Sequence, residues 1–228
     1  MTIFSVVFGF VLRSNPDPGD PSGLDVFALW LCSGLLPYLF FQNVLSAGMG
    51  CLVGNANLIQ KVYFPRALLV VSNALSWLFT FSIEIAVLVV ALLIFGGDPL
   101  PYLPAIIFLM ALLTIFGLGI SFVLSVANVY FRDTQHFVAI LLQLWMYATP
   151  IIYPINLIAE KDKTYHGLLF AYRLNPMERF VEAFRNALYD NRWPSGLNLL
   201  VLTIVSLAVL AIGYAVFNRY EGRLAEEL

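Results

Sequence analysis

The chain has 228 residues, 61% of them hydrophobic and 11% charged, with a formal net charge of −2. A soluble domain of this size carries about 45–50% apolar and about 25% charged residues, so the composition excludes a single water-soluble fold and points to a membrane protein. The near-neutral charge offers no basic surface for nucleic acid.

Residues 1–12 are apolar but too few to cross a bilayer, and read as the outer end of a first span or, alternatively, as a short helix buried against the bundle. The stretch MTIFSVVFGF lacks a basic leader and a small-residue cleavage site, so a cleaved signal peptide is not expected. Four later runs are long enough to cross as helices, at 27–53, 67–95, 103–128 and 197–217. Together they predict an all-α polytopic protein. A fifth run, 136–152, is shorter and meets TPIIYP, where Pro150 and Pro154 remove helix hydrogen bonds and stop or bend the span. Cys32 and Cys51 fall on one expected helix about 28 Å apart, too far to pair, and read as small apolar fillers. GCLVG at 50–54 matches the small-xxx-small pattern for close helix approach.

Basic residues in the loops set the orientation. Lys61 and Arg66 in GNANLIQKVYFPR, Arg132 in NVYFRDTQHF, and Arg219 and Arg223 in the tail place these segments inside the cell. Residues 153–196 oppose this with Lys161, Lys163, Arg173, Arg179, Arg185 and Arg192. The number of spans keeps them outside, because one more crossing must return the chain to the tail.

Between the spans lie segments with structure of their own. In GNANLIQKVYFPR, Asn57 is an expected cap with Gln60 three residues on, and Pro65 ends a short helix at 58–64. Leu58, Ile59, Val62 and Tyr63 give it an apolar side, suited to lipid headgroups or to another protein. In LNPMERFVEAFRNALYD, Asn175 caps, Pro176 takes the first helical position and Glu178 completes a capping box. Met177, Phe180, Val181, Phe184 and Leu188 form one stripe, with Glu178, Arg179, Glu182 and Arg185 on other faces. This helix is too charged to span, and serves either as packing on the bundle or as a lid over an exit path.

Glu84 is the one acid deep in a span, where a charge costs roughly 3 kcal/mol. It is either a structural group bonded to a neighbouring helix or a contact for cargo. Tyr38 and Phe41 in the second span, and Trp145, Tyr147 and Tyr153 near the end of the fifth, are either helix packing and interfacial belt or flat surfaces for sugar rings. The sequence holds no phosphate-binding loop GxxxxGK[ST], no HExxH and no GxSxG. No cofactor is expected on this chain.

Taken in order, NANLIQKVYFPR, NVYFRDTQHF, TPIIYP and LNPMERFVEAFRNAL resemble the permease subunits of ABC-2 type exporters, most closely those moving O-antigen, teichoic acid or galactan. The resemblance implies a six-span bundle whose first span is truncated at its N-terminus, in a multi-pass protein of the bacterial plasma (inner) membrane. It implies a homodimer of permeases working with two cytoplasmic ATPase subunits, which carry the ATP and Mg. A lipid-linked glycan then passes between the two copies, surrounded by membrane lipids. Leu58, Ile59, Lys61, Tyr63, Phe64 and Arg66, within a coupling helix at 57–66, would meet the ATPase together with Phe131, Arg132 and Asp133. Residues 153–190 would gate the exit, and Tyr38, Phe41, Trp145, Tyr147 and Tyr153 would contact the glycan. A drug or small lipid is the alternative cargo, and an ATP-independent channel or carrier the alternative class.

Overall fold

A computed structural model describes residues 19–62, 64–153 and 174–222. Among these residues the chain forms α1 (Phe27–Gly54), α2 (Ala56–Lys61), α3 (Ala67–Ile94), a 3-10 turn (Leu100–Tyr102), α4 (Leu103–Tyr130), α5 (Thr134–Ala148), α6 (Pro176–Leu188) and α7 (Gly196–Tyr220). No strand occurs among the described residues.

Four helical stretches are long and apolar enough to cross a membrane: Phe27–Gly54, Ala67–Ile94, Leu100–Tyr130 and Gly196–Tyr220. In lipid the backbone must satisfy its own hydrogen bonds, and uninterrupted apolar helices do so. α1 stays helical through Pro37, a residue that hydrophobic spans tolerate better than soluble helices. α5 differs from the other spans. It begins at Thr134 and stops at Ala148, so its 15 residues reach about 22 Å, short of a hydrocarbon core about 30 Å thick. The stop falls just before Pro150, as the TPIIYP break predicts. Residues 1–12, the expected start of the bundle, lie outside the described residues, as do 154–173 of the expected gate.

The described residues divide into two compact units. One takes the residues up to Tyr38 with Ile83–Leu109 and Trp145–Leu202, and the other takes Leu39–Ser82, Met110–Leu144 and the residues from Thr203 onward. The second unit has a core of Cys51, Leu52, Ile59, Val70, Phe122, Val126, Val129 and Phe217. Phe40 stacks on Phe81 with centroids 4.4 Å apart, and Phe122 meets Phe217 at 5.1 Å. Polar groups here serve packing. Ser121 Oγ donates to the Val44 carbonyl at 3.1 Å, and Asn128 Nδ2 donates to that of Met49 at 3.2 Å.

The close helix approaches occur at glycines other than those expected. A Cβ on Gly50 or Gly54 of the GCLVG motif would meet nothing within 4 Å. A Cβ on Gly119 would stand 2.6 Å from the Leu210 nitrogen, one on Gly213 would strike the Gly119 carbonyl, and one on Gly48 would stand 2.7 Å from Ser121 Cβ. Short side chains let helix backbones touch, which is how apolar helices associate where lipid is as greasy as leucine. Among the described residues, no helix closely approaches the two glycines of the expected motif.

In the first unit, α6 buries its whole apolar stripe. Met177, Phe180, Phe184 and Leu188 are fully enclosed, and Val181 nearly so. Its start follows the sequence: Asn175 Oδ1 accepts from the Met177 N–H at 3.0 Å, with Pro176 at the first turn. Its end is closed by the Tyr189 and Asp190 N–H groups, which donate to the Arg185 carbonyl at 2.8 and 3.0 Å, before Asn191 turns the chain left-handed with a φ of 55°.

Candidate functional site

The short helix α2 lies in the second unit with the ends of α4 and α7. It starts two residues earlier than expected. Asn55, not Asn57, takes the cap position, and its side chain makes no capping bond. Instead Asn55 Nδ2 donates back to the Cys51 carbonyl at 2.8 Å, finishing α1. The helix also ends early, at Lys61 rather than residue 64, because Val62 is already extended ahead of Pro65.

This register sorts the expected docking residues into two sets. Ile59 points inward, 6% exposed, into the cluster that holds Val126, Val129 and Phe217, and Phe64 packs against the same cluster. Ile59 anchors the segment from beneath, and Phe64 is half-buried at its edge. Leu58 and Val62 face outward at 44% and 51% exposure, and Lys61 is exposed beside them. Tyr63 lies outside the described residues. Arg66 is held by Glu221: its N–H donates to Glu221 Oε1 at 3.1 Å, and its guanidinium donates to the Glu221 carbonyl.

NVYFRDTQHF is a three-residue turn between α4 and α5. Backbone bonds hold it: Phe131 N to Ala127 O at 2.8 Å, Thr134 N to Phe131 O at 3.0 Å, and His136 N to Asp133 O at 3.1 Å. Arg132 and Asp133 form no ion pair with each other. A turn closed by main-chain bonds leaves both side chains exposed, with Phe131 beside them at 72% exposure. The burial of Ile59 alongside Val129 brings this turn and α2 to one face. A cleft of about 680 Å³ opens between the α2 segment and the end of α7, with walls that include Gln60, Lys61, Phe64, Arg66, Asn218 and Glu221.

The expected glycan contacts are dispersed. Tyr38 and Phe41 are fully buried, and Phe41 stacks on Phe116 at 5.5 Å, so both serve packing within the chain. Trp145 uses its polar edge on the protein, donating from Nε1 to Asn175 Oδ1 at 2.9 Å. Tyr153 donates to the Tyr147 carbonyl at 2.9 Å, and the Tyr147 ring is the one of this set that is mostly exposed. Glu84 is half-buried and has no hydrogen-bond or ion-pair partner among the described residues.

α6 carries two charged residues whose surroundings differ from the sequence expectation. Glu178 and Arg185 lie off the apolar stripe, as the spacing predicts, yet Glu178 is 3% exposed, in the first turn where a helix N-terminus favours an acid. Arg185 donates to the carbonyls of Pro150 and Ile151 at 2.7 and 2.6 Å, the groups left over where α5 has broken. Burial pushes its guanidinium down to about 9, against the pull of Asp190 and Glu178, so it remains charged at neutral pH. Burial also raises the Asp190 carboxyl, against the pull of Arg192. The signal in the sequence was the pairing of a proline break with an arginine on a helix that otherwise has little reason to bury charge.

The ABC-2 type transporter family matches residues 1–189. Over its full length the chain is 28% identical to the O-antigen export system permease protein RfbA of Myxococcus xanthus, covering 83% of that protein. A Klebsiella pneumoniae protein of the same name is 28% identical over 99% of the chain and 83% of its own length. The polysialic acid transport protein KpsM of Escherichia coli is 23% identical over 94% of the chain and 79% of its length. With helices built to span a membrane and a family match across most of its length, this chain belongs to the ABC-2 type transporter family.

Proposed function

We propose that this chain is the membrane-spanning subunit of an ATP-driven exporter that moves a lipid-linked polysaccharide out across the bacterial inner membrane. Two copies enclose the channel. Two cytoplasmic ATPase subunits, which hold the ATP and Mg, dock on the face made by α2 and the α4–α5 turn. The observation that carries this reading is the chain-long likeness to permeases named for O-antigen export. The face offered to the ATPase has the make-up of a docking site. Leu58, Val62 and Phe131 stand out as apolar anchors, Lys61, Arg132 and Asp133 supply a charged rim, and Ile59 fixes the helix from beneath. α6 lies on the outer side, at the exit.

The test is reconstitution in vesicles with a co-purifying ATPase subunit. Lipid-linked polysaccharide should stimulate ATP hydrolysis and be carried across only when ATP is present. Phe131→Ala and Arg132→Ala should lower that stimulation while the permease still reaches the membrane. Transport by the purified chain alone, without ATP or a companion, would overturn the reading. Stimulation by a drug or small lipid in place of glycan would change the cargo.

A further inference from the structure

Arg66 and Glu221, 155 residues apart in sequence, hold each other through crossed groups. The Arg66 main-chain N–H donates to the Glu221 carboxylate, and the Arg66 guanidinium donates to the Glu221 main-chain carbonyl. Their places in the fold give this exchange its meaning. Arg66 immediately precedes α3, and the Leu69 N–H donates to its carbonyl at 3.1 Å, so it stands at the cap of that helix. The first N–H groups of a helix lack intrahelical partners, and a carboxylate there is favourable. Glu221 immediately follows α7, where the last carbonyls lack partners and a cation is favourable. Each residue thus caps the other's helix end.

Pro65 offers no N–H, so Arg66 carries the first amide after the docking segment that can take such a bond. Two further contacts fix the same region. Phe217 shares a buried cluster with Ile59, and Tyr220 meets Tyr130 edge-on at 6.1 Å. The cleft described above lies between the docking segment and the end of α7.

We infer that Arg66 and Glu221 are positioning residues whose reciprocal caps join the docking segment, the start of α3 and the end of α7 into one mechanical piece. A push on α2 then moves α3 and α7 together. This deepens the proposed docking of an ATPase on α2, and rests on it.

Spin labels at Gln60 and Asn218, in a permease whose Cys32 and Cys51 are replaced by alanine, read the spacing directly. In the assembled transporter the distance should be narrow and the same with and without ATP. Glu221→Ala should broaden it and lower glycan carried per ATP hydrolysed by about fivefold or more, the lower end of ordinary coupling between sites. Glu221→Gln keeps an oxygen acceptor and should restore both readings, which a general loss of stability would not predict. A distance that shifts when ATP binds would overturn the inference, as would a Glu221→Ala variant that matches the parent in both measurements. If Glu221→Ala fails to reach the membrane, the parent distances and the glutamine variant still decide. An absence of ATP-dependent export in the parent assembly would instead count against the proposed function, and the labels would still report on the caps.

Discussion

The Arg185 guanidinium lies 3.7 Å from the centre of the Trp30 ring, while its two amino groups donate to the carbonyls of Pro150 and Ile151. One side chain on α6 therefore holds α1 and the end of α5. The cation over an indole face adds attraction when desolvated, and the carbonyls it satisfies are buried. Arg185→Ala leaves both without a partner and should destabilise the protein by about 3 kcal/mol, read from thermal unfolding in detergent. Lysine cannot present the same fork, so Arg185→Lys should recover only part of the loss. Gly34 makes room for this contact, since a Cβ there would stand 2.9 Å from the guanidinium. Gly34→Ala should therefore lower stability in the same direction as the lysine variant.

Asn175 joins α5 to α6 through three bonds from one side chain. Its Oδ1 accepts from Trp145 Nε1 and from Met177 N, and its Nδ2 donates to Thr149 Oγ1 at 3.0 Å. Thr149 Oγ1 in turn donates to the Trp145 carbonyl at 2.9 Å. Asn175→Asp keeps the acceptor for the helix cap but loses the donor to Thr149. Asn175→Ala loses the cap as well. We expect the alanine variant to cost about 2 kcal/mol, near the upper end for a lost cap, and the aspartate variant less. Trp145 fluorescence should respond to both, because the indole N–H loses or changes its partner. An unaltered emission spectrum in Asn175→Ala would argue against the bond.

The glycines make a paired prediction. Gly213→Ala should destabilise by about 1–3 kcal/mol, since its Cβ strikes the backbone at Gly119, where nothing can rotate away. Gly50→Ala meets open space and should be neutral or stabilising by up to about 1 kcal/mol through helix propensity. Thermal unfolding of the two variants side by side separates them by sign. One match of small residues spaced four apart arises readily by chance in an apolar chain, so the motif at 50–54 held little information. What decides a close approach is which face of a helix meets another, and local spacing does not carry that.

The same distinction divides what was legible elsewhere. Span positions follow from unbroken apolar runs, and the α1, α3, α4 and α7 boundaries fall within a few residues of the expected ones. The Asn175–Pro176 start of α6 was legible because capping is local chemistry. The α2 start was misjudged because Asn55 and Asn57 are both competent caps, and the bond from Asn55 to Cys51 ends α1 where it does. Ile59 and Leu58 are equally apolar in sequence, and only packing on Phe217 and Val129 assigns one inward and the other outward. The partners of Arg185 and Arg66 lie tens of residues or more away, beyond the reach of any local pattern.

Glu84 gives the last prediction. It stands near the middle of α3, the one acid in a helix whose other polar residues are hydroxyls, Asn73 and Trp77. The hydroxyls have satisfied themselves along the helix: Ser76 Oγ donates to the Ser72 carbonyl at 2.9 Å, and Ser82 Oγ to that of Leu78 at 2.7 Å. Glu84 has no such outlet, because an ionised carboxylate accepts and cannot donate, while the carbonyls one turn back need donors. An unpartnered acid at mid-span is costly by roughly 3 kcal/mol. Glu84→Leu should therefore raise the unfolding temperature of the isolated permease, and Glu84→Gln should raise it less. If either variant instead unfolds at a lower temperature in the assembled transporter, the carboxylate has a partner supplied by another subunit, and the cost argued here is offset at that contact.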